Sequence, residues 1–233
     1  MPPSALDAFA GEATRLAAVL TGLTDTDDDA KTGLDLPSTC PPWTVRELAC
    51  HVRIAVARLP GMLAAPAPPG PPVTAHAYYA PGRADPAANT DRIAAARLDA
   101  AAWPSPRAVT TAFTGAVDTT IAAARRHDPA RLVRTRWGDP MTLEDYLVTR
   151  VVEVTVHGLD IAASLNRAPW TTPAAATVVT GLLTETGAGG AALPAALGWD
   201  PPTFIAKATG RQPLTDREQA TVAGTGVTWL RLG

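Results

Sequence analysis

Apolar residues recur at spacings of three and four through residues 4–23, at Leu6, Phe9, Ala13, Leu16, Leu20 and Leu23. That period puts them on one face of a helix. The same pattern starts again at Thr44, with Val45, Leu48, Val52, Ala55, Val56 and Leu59, and is expected to end near Ala65. Thr44 followed three residues later by Glu47 is a capping box, in which each side chain satisfies a backbone N–H at the helix start. Residues 89–102 and 107–127 predict two further helices. Thr142, with Asp145 three residues on, opens the most regular stripe: Leu143, Leu147, Val151, Val154, Ile161 and Leu165, expected to stop near Asn166 before Pro169.

The stretches between these stripes are polar or broken. Residues 25–31 read as a solvated, Asp-rich loop. Residues 66–88 hold seven prolines and the adjacent Tyr78 and Tyr79, and predict a long loop without regular structure. Residues 131–141 read as extended, with Gly138-Asp139-Pro140 as a turn. Towards the C-terminus, residues 173–186, 190–197 and 202–209 predict short helices. Thr215 with Glu218 forms a second capping box, and the alternation over 227–232 predicts a final strand. The fold class is therefore mainly α: a helical bundle with a small C-terminal α(+β) extension.

The remaining features narrow the function. A chain of 233 residues with 46% apolar content can bury a real core. Its 20 basic and 22 acidic residues nearly cancel, which argues against nucleic acid or anionic lipid as partner. No run reaches the ~18 apolar residues of a membrane span, and no secretory leader is visible, so a cytoplasmic location is expected. Cys40 and Cys50 are too few for a disulfide scaffold and too far apart for a redox pair, and are expected as reduced thiols.

Glu153 and His157 are four apart on one helix, so they stack a turn apart on one face. Asp160 and Ser164 continue that line, and Gly158 removes bulk beside it. His51 lies three after Leu48 and four before Ala55, and so points with the apolar stripe. Bundle cores build metal sites from such inward groups on facing helices. Three protein ligands leave a zinc ion one position for water or substrate. Each residue also has a structural reading: a core histidine, or an i,i+4 surface pair. An inward Glu153 needs a cation, because burying an unpaired carboxylate is costly. His127 reads as a helix C-terminal charge beside Arg125 and Arg126, and His76 lies in the Pro-rich loop.

The run Cys40-Pro41-Pro42-Trp43-Thr44-Val45-Arg46-Glu47-Leu48, continuing to His51, resembles a signature of the mycothiol-dependent maleylpyruvate isomerase family. Val152-Glu153-Val154-Thr155-Val156-His157-Gly158-Leu159-Asp160 resembles a second, and Ala208-Thr209-Gly210-Arg211-Gln212-Pro213-Leu214-Thr215 a third. The chain departs from the pattern at Pro42, where Gly is usual, and at Leu159, where Trp is common. The resemblance implies a DinB-like four-helix bundle over residues 1–168 and an extension over 169–233 that packs near a metal site. It implies His51, Glu153 and His157 as ligands of a divalent metal, zinc first, although such a set also accepts nickel, iron or cobalt.

The resemblance also implies a low-molecular-weight thiol, typically mycothiol, as cosubstrate. A metal-bound thiol loses its proton, and the thiolate attacks an electrophilic carbon. If the sulfur later leaves, the enzyme is an isomerase; if it stays, an S-transferase. Arg211 is expected near the active site, holding a carboxylate or the thiol cofactor, with Asp160 orienting His157. Tyr78 and Tyr79 are candidates for cofactor binding in a lidded pocket. A thiol-exchange or conjugation enzyme of specialised metabolism, and a non-catalytic metal- or ligand-binding protein, are the alternatives. The expected partners are a small electrophile and a thiol, in a monomer or homodimer.

Overall fold

A computed structural model describes residues 3–24, 33–79, 86–186 and 189–230. The Asp-rich loop expected at 25–31 lies outside them, as do residues 80–85 of the Pro-rich stretch. Among the described residues, ten helices and one hairpin follow in order: α1 (Ala5–Thr21), α2 (Val45–Ala64), α3 (Ala75–Tyr78), α4 (Pro86–Ala102), α5 (Pro106–Ala124), β1 (Leu132–Arg134), β2 (Pro140–Thr142), α6 (Leu143–Ser164), α7 (Pro173–Thr184), α8 (Leu193–Leu197), α9 (Pro201–Ala208) and α10 (Asp216–Ala223). Short 3₁₀ turns occur at Gly33–Asp35 and Gly190–Ala192.

Helices α1, α2, α5 and α6 form the four-helix bundle, with α1 and α2 each packed against both α5 and α6. The stripes read from the sequence are the reason. Phe9, Ala13, Leu16 and Leu20 of α1, Leu48, Val52 and Leu59 of α2, and Leu147, Val151, Val154 and Ile161 of α6 are all buried in one apolar cluster. Helix α4 lies against α2, and α7 against α1 and α6. The cluster continues without a break into Val179 of α7, Phe204 and Ile205 of α9 and Val222 of α10. No helix among the described residues is long and apolar enough to cross a membrane.

The ends of the helices form as expected. Thr44 and Glu47 make both capping-box bonds, as do Thr215 and Glu218. Helix α6 ends where Asn166 takes a left-handed backbone (φ 51°), which Asn tolerates better than most residues.

Two expectations are corrected. The Pro-rich stretch is not devoid of regular structure. Thr74 caps the one-turn helix α3, Asp145 accepts from the Ala75 N–H at 2.9 Å, and the Val73 N–H donates to Pro140 at 2.9 Å. Tertiary acceptors supply the hydrogen bonds that local sequence could not. The second correction concerns the strand expected at 227–232. Residues 227–230 form no strand, because Val227 and Leu230 are buried in the helical core and no neighbouring strand offers a ladder; residues 231 and 232 lie outside the described part. The β-structure is instead the antiparallel hairpin β1–β2, in the stretch read only as extended, and the described extension is α-helical.

Candidate metal centre

The capping box at Thr44 sets where α2 begins and so which face carries His51. Buried Leu48, Val52 and Ala55 turn that face inward. On α6 the same logic turns Glu153 and His157 towards α2. The three side chains converge. His51 Nε2 lies 3.7 Å and His157 Nε2 3.6 Å from the same atom, Glu153 Oε2. The two imidazoles meet edge-on, with ring centroids 5.2 Å apart. Their side chains are 15%, 21% and 12% exposed for His51, Glu153 and His157, so the cluster is sheltered yet reachable by a small ligand.

This donor set fits a divalent metal. With metal–ligand bonds of about 2.1 Å, tetrahedral zinc holds two donor atoms about 3.4 Å apart. The observed 3.6 and 3.7 Å are a few tenths wider. The hydrogen bonding fits as well. Asp160 Oδ2 lies 2.9 Å from His157 Nδ1. An ionised carboxylate only accepts, so the imidazole proton belongs on Nδ1 and the Nε2 lone pair faces Glu153. Burial lowers the His51 pKa, which keeps that ring neutral and able to ligate. Burial works against the charge on Glu153, but His51, Arg150 and His157 together hold its carboxyl well below the usual range.

A second set of donors, Cys40, His157 and Asp160, also lies within 4.8 Å of one another. It is the poorer site. His157 Nδ1 and Asp160 are already bonded to each other, and burial together with Asp160 pushes the Cys40 thiol up to about 12. A thiol that stays protonated is a weak ligand.

Two neighbours of the cluster were not singled out in the sequence. Trp43 stacks on His51 at 4.7 Å between centroids and fixes the plane of the ring. Arg150 is buried inside the bundle. Its guanidinium donates to the Ala55 carbonyl (3.0 Å) and to Thr149 Oγ1 (3.2 Å), lies over the Tyr146 ring, and stands 3.8 Å from Glu153 Oε1. Glu153 thus divides its oxygens, Oε1 towards Arg150 and Oε2 towards both histidines. Arg150 supplies part of the cation that an inward Glu153 requires. The available signal was position: Arg150 lies three before Glu153 and seven before His157, on the same helix face.

The other candidates are dispersed. Arg211 does not face the cluster directly. It clasps Asp160 with two bonds, Nε to Oδ1 at 2.8 Å and Nη2 to Oδ2 at 3.0 Å, and donates to the Thr209 carbonyl at 3.1 Å. Asp160 is 3% exposed, and its carboxyl is held below the usual range: burial opposes this, but His157 and Arg211 outweigh it. Tyr78 lines a cavity of about 470 Å³ that also opens onto His51 and Glu153. The Tyr79 hydroxyl instead donates to the Thr149 carbonyl at 3.2 Å. His76 is on α3 and His127 is exposed beyond the end of α5, so neither joins the cluster. The indole of Trp170 occupies the space beside Gly158, where a Cβ would meet it at 3.6 Å. A more open groove of about 560 Å³ between α9 and α10 contains none of these residues.

Comparison with known proteins follows the same span. The model of the family described as "Mycothiol maleylpyruvate isomerase N-terminal domain" matches residues 9–162, which include His51, Glu153, His157 and Asp160. No curated protein matches the chain. Among solved structures, the "Crystal structure of the mycothiol-dependent maleylpyruvate isomerase" is similar at 18% identity and a TM-score of 0.47, over 77% of this chain and 69% of that one.

Proposed function

Because the chain belongs to the mycothiol maleylpyruvate isomerase N-terminal domain family, we propose that it is a metal-dependent enzyme that uses a low-molecular-weight thiol, mycothiol first, to attack an electrophilic small molecule. The product is an isomer if the sulfur leaves again, and a thioether if it stays. The observation that carries this reading is the convergence of both imidazole Nε2 atoms on Glu153 Oε2 inside the matched span.

His51, Glu153 and His157 would hold the divalent ion. When bound there, such an ion supplies a positive charge that lowers the pKa of a thiol presented to it, so that thiolate is available at neutral pH. The protein's own contribution is to hold the ligands still. Asp160 keeps the proton of His157 on Nδ1, so Nε2 presents its lone pair. Arg211 holds both oxygens of Asp160 and prevents that carboxylate from rotating away. Trp43 restrains the His51 ring, and Arg150 draws Oε1 of Glu153 back so that Oε2 points forward. With the donors already gathered, less side-chain ordering remains to be done on binding.

The test measures metal content by elemental analysis, then titrates mycothiol by calorimetry into native protein and His51→Ala. We expect about one divalent ion per chain and thiol binding in the native protein, with both lost in the variant. Native protein without metal would overturn the reading. Metal without thiol binding would leave a metal-binding protein of another use.

A further inference from the structure

Two arginines of this chain clasp a carboxylate with the same edge of the guanidinium. Arg211 reaches both oxygens of Asp160 through Nε and Nη2, and Arg53 reaches both oxygens of Asp99 through Nε and Nη2. That edge presents two parallel N–H groups, which match the two oxygens of a carboxylate. Arg150 turns the same edge elsewhere. Its Nε and Nη2 both donate to Thr149 Oγ1 at 3.2 Å, although Glu153 Oε1 stands only 3.8 Å from Nη2. Thr149 and Arg150 are both buried, so bulk water does not compete for these groups.

The hydroxyl is well placed to hold that edge. Thr149 Oγ1 donates its own proton to the Tyr146 carbonyl at 2.6 Å, one turn back on α6, which turns its lone pairs towards Arg150. One donor and two lone pairs then serve three bonds, the full capacity of a hydroxyl. The remainder of the guanidinium is tied down as well. Nη1 donates at 3.0 Å to the carbonyl of Ala55, one turn after His51 on α2, and Cζ lies 4.8 Å over the Tyr146 ring. Thr149 is four residues before Glu153 and so shares its helix face. A guanidinium clasped on Glu153 would engage both of its oxygens and compete with a metal ion for Oε2. At 3.8 Å it attracts the carboxylate through space without a hydrogen bond.

We infer that Thr149 is a positioning residue of the metal centre: its hydroxyl occupies the carboxylate-binding edge of Arg150, keeps that guanidinium from clasping Glu153, and so leaves Glu153 Oε2 for an ion held with His51 and His157. The inference rests on the reading of those three residues as metal ligands. Without the hydroxyl, two buried N–H groups lose their acceptor, which is costly. Glu153 Oε1 is the carboxylate oxygen within reach of them, and a small rotation of either side chain closes the gap.

The experiment measures zinc affinity of the full chain by competition with a chelating dye, and records the visible absorption of bound cobalt(II), which reports the ligand set. The proteins are the native form, Thr149→Val, Thr149→Ser, Arg150→Met and the double variant Thr149→Val/Arg150→Met, each checked by thermal melting. Valine keeps the shape of threonine, and serine keeps its hydroxyl. We expect Thr149→Val to bind zinc at least about tenfold more weakly than native, the lower end of the range for groups that support a metal ligand, with altered cobalt bands. Thr149→Ser is expected to stay within about threefold of native, because the acceptor remains. The double variant is expected to bind at least about fivefold more tightly than Thr149→Val and to match Arg150→Met, since the hydroxyl has no task once the guanidinium is gone. A double variant no tighter than Thr149→Val overturns the inference, because Thr149 would then be structural only. So does failure of Thr149→Val to fold, with or without Arg150→Met, while Thr149→Ser folds. Native protein that binds neither zinc nor cobalt overturns the earlier reading and this inference together. Native binding with an unaffected Thr149→Val overturns this inference alone.

Discussion

On one side of His157, Asp160 accepts from both nitrogens of the Arg211 fork and from the imidazole, and every charge has a counter-charge within 3.0 Å. On the other side, beyond Glu153, five arginines line a cavity; Arg92 and Arg134 bond to neutral groups, and Arg150 stands 3.8 Å from Glu153 Oε1. The first region is closed: its hydrogen bonds are filled from within, so it can brace a ligand residue but has little left for a substrate. The second carries more guanidinium than carboxylate among the described residues that line it. Two arginine-containing regions flank the His51–Glu153–His157 cluster, and they differ in whether a carboxylate of the chain clasps the guanidinium at hydrogen-bond distance.

The largest expected effect strikes the braced side. Asp160→Asn removes the charged acceptor shared by His157 and Arg211. Zinc affinity, read by competition with a chelating dye, is expected to fall about 10- to 100-fold, the range seen when the partner of a metal-binding histidine is lost. Arg136→Gln, at an exposed residue on the cavity side, is expected to leave zinc affinity within about twofold. An equal fall in both variants would break the comparison, because the two sides would then be one coupled network.

A smaller effect is expected from a carboxylate that lacks such a clasp. Glu12 is fully buried and joins α1 to α7 by accepting from the Thr172 N–H at 2.7 Å, while its Oε1 has no hydrogen-bond partner. Burial raises its pKa above the ordinary 4.5, more than the bonds from Thr172 and Thr171 and the charge of Arg15 lower it. The folded protein therefore holds this proton more tightly than the unfolded chain. The favourable contribution of Glu12 is fully present below pH 4.5 and is lost as pH rises through the raised pKa. Urea unfolding of native protein and Glu12→Gln, between about pH 4 and 8, should show native stability declining relative to the variant as pH rises. A pH-independent difference would show that Glu12 is compensated as Asp160 is.

The smallest expected effect is at Cys40, whose thiol lies beside Asp160 and Arg211. With its pKa near 12, the thiol is almost wholly protonated at pH 8. Cys40→Ser is expected to leave zinc affinity within about twofold, and mass spectrometry after iodoacetamide treatment should find Cys40 slow to alkylate in folded protein. Rapid labelling would show that the braced side is more open than its hydrogen bonds imply.

The sequence held a good part of this arrangement. Helix period and capping placed His51 on the inner face of α2, and Glu153, His157 and Asp160 on one line of α6, because those rules act within a few residues of chain. The bond from His157 Nδ1 to Asp160, three residues apart, is of the same local kind. Arg150 was harder to find: its position marked it, but arginine is ordinarily exposed, and only the packed helices show that the Ala55 carbonyl and the Tyr146 ring make its burial tolerable. Helix α3 is a single turn whose first N–H, that of Ala75, is held by Asp145, 70 residues away, and no local spacing specifies that partner.

What the chain determined alone was therefore its helices, their inward faces and the three donors that those faces carry, since each follows from short-range geometry and the burial of apolar stripes. Tertiary structure decided the rest. It brought Arg211 onto Asp160, across 51 residues of sequence, and so committed that arginine to support. It also gathered five arginines from α2, α4, the hairpin and α6 around one cavity without an acid for each. Charge balance in a folded protein depends on which side chains meet, and no spacing along the chain specifies that for residues carried by separate elements.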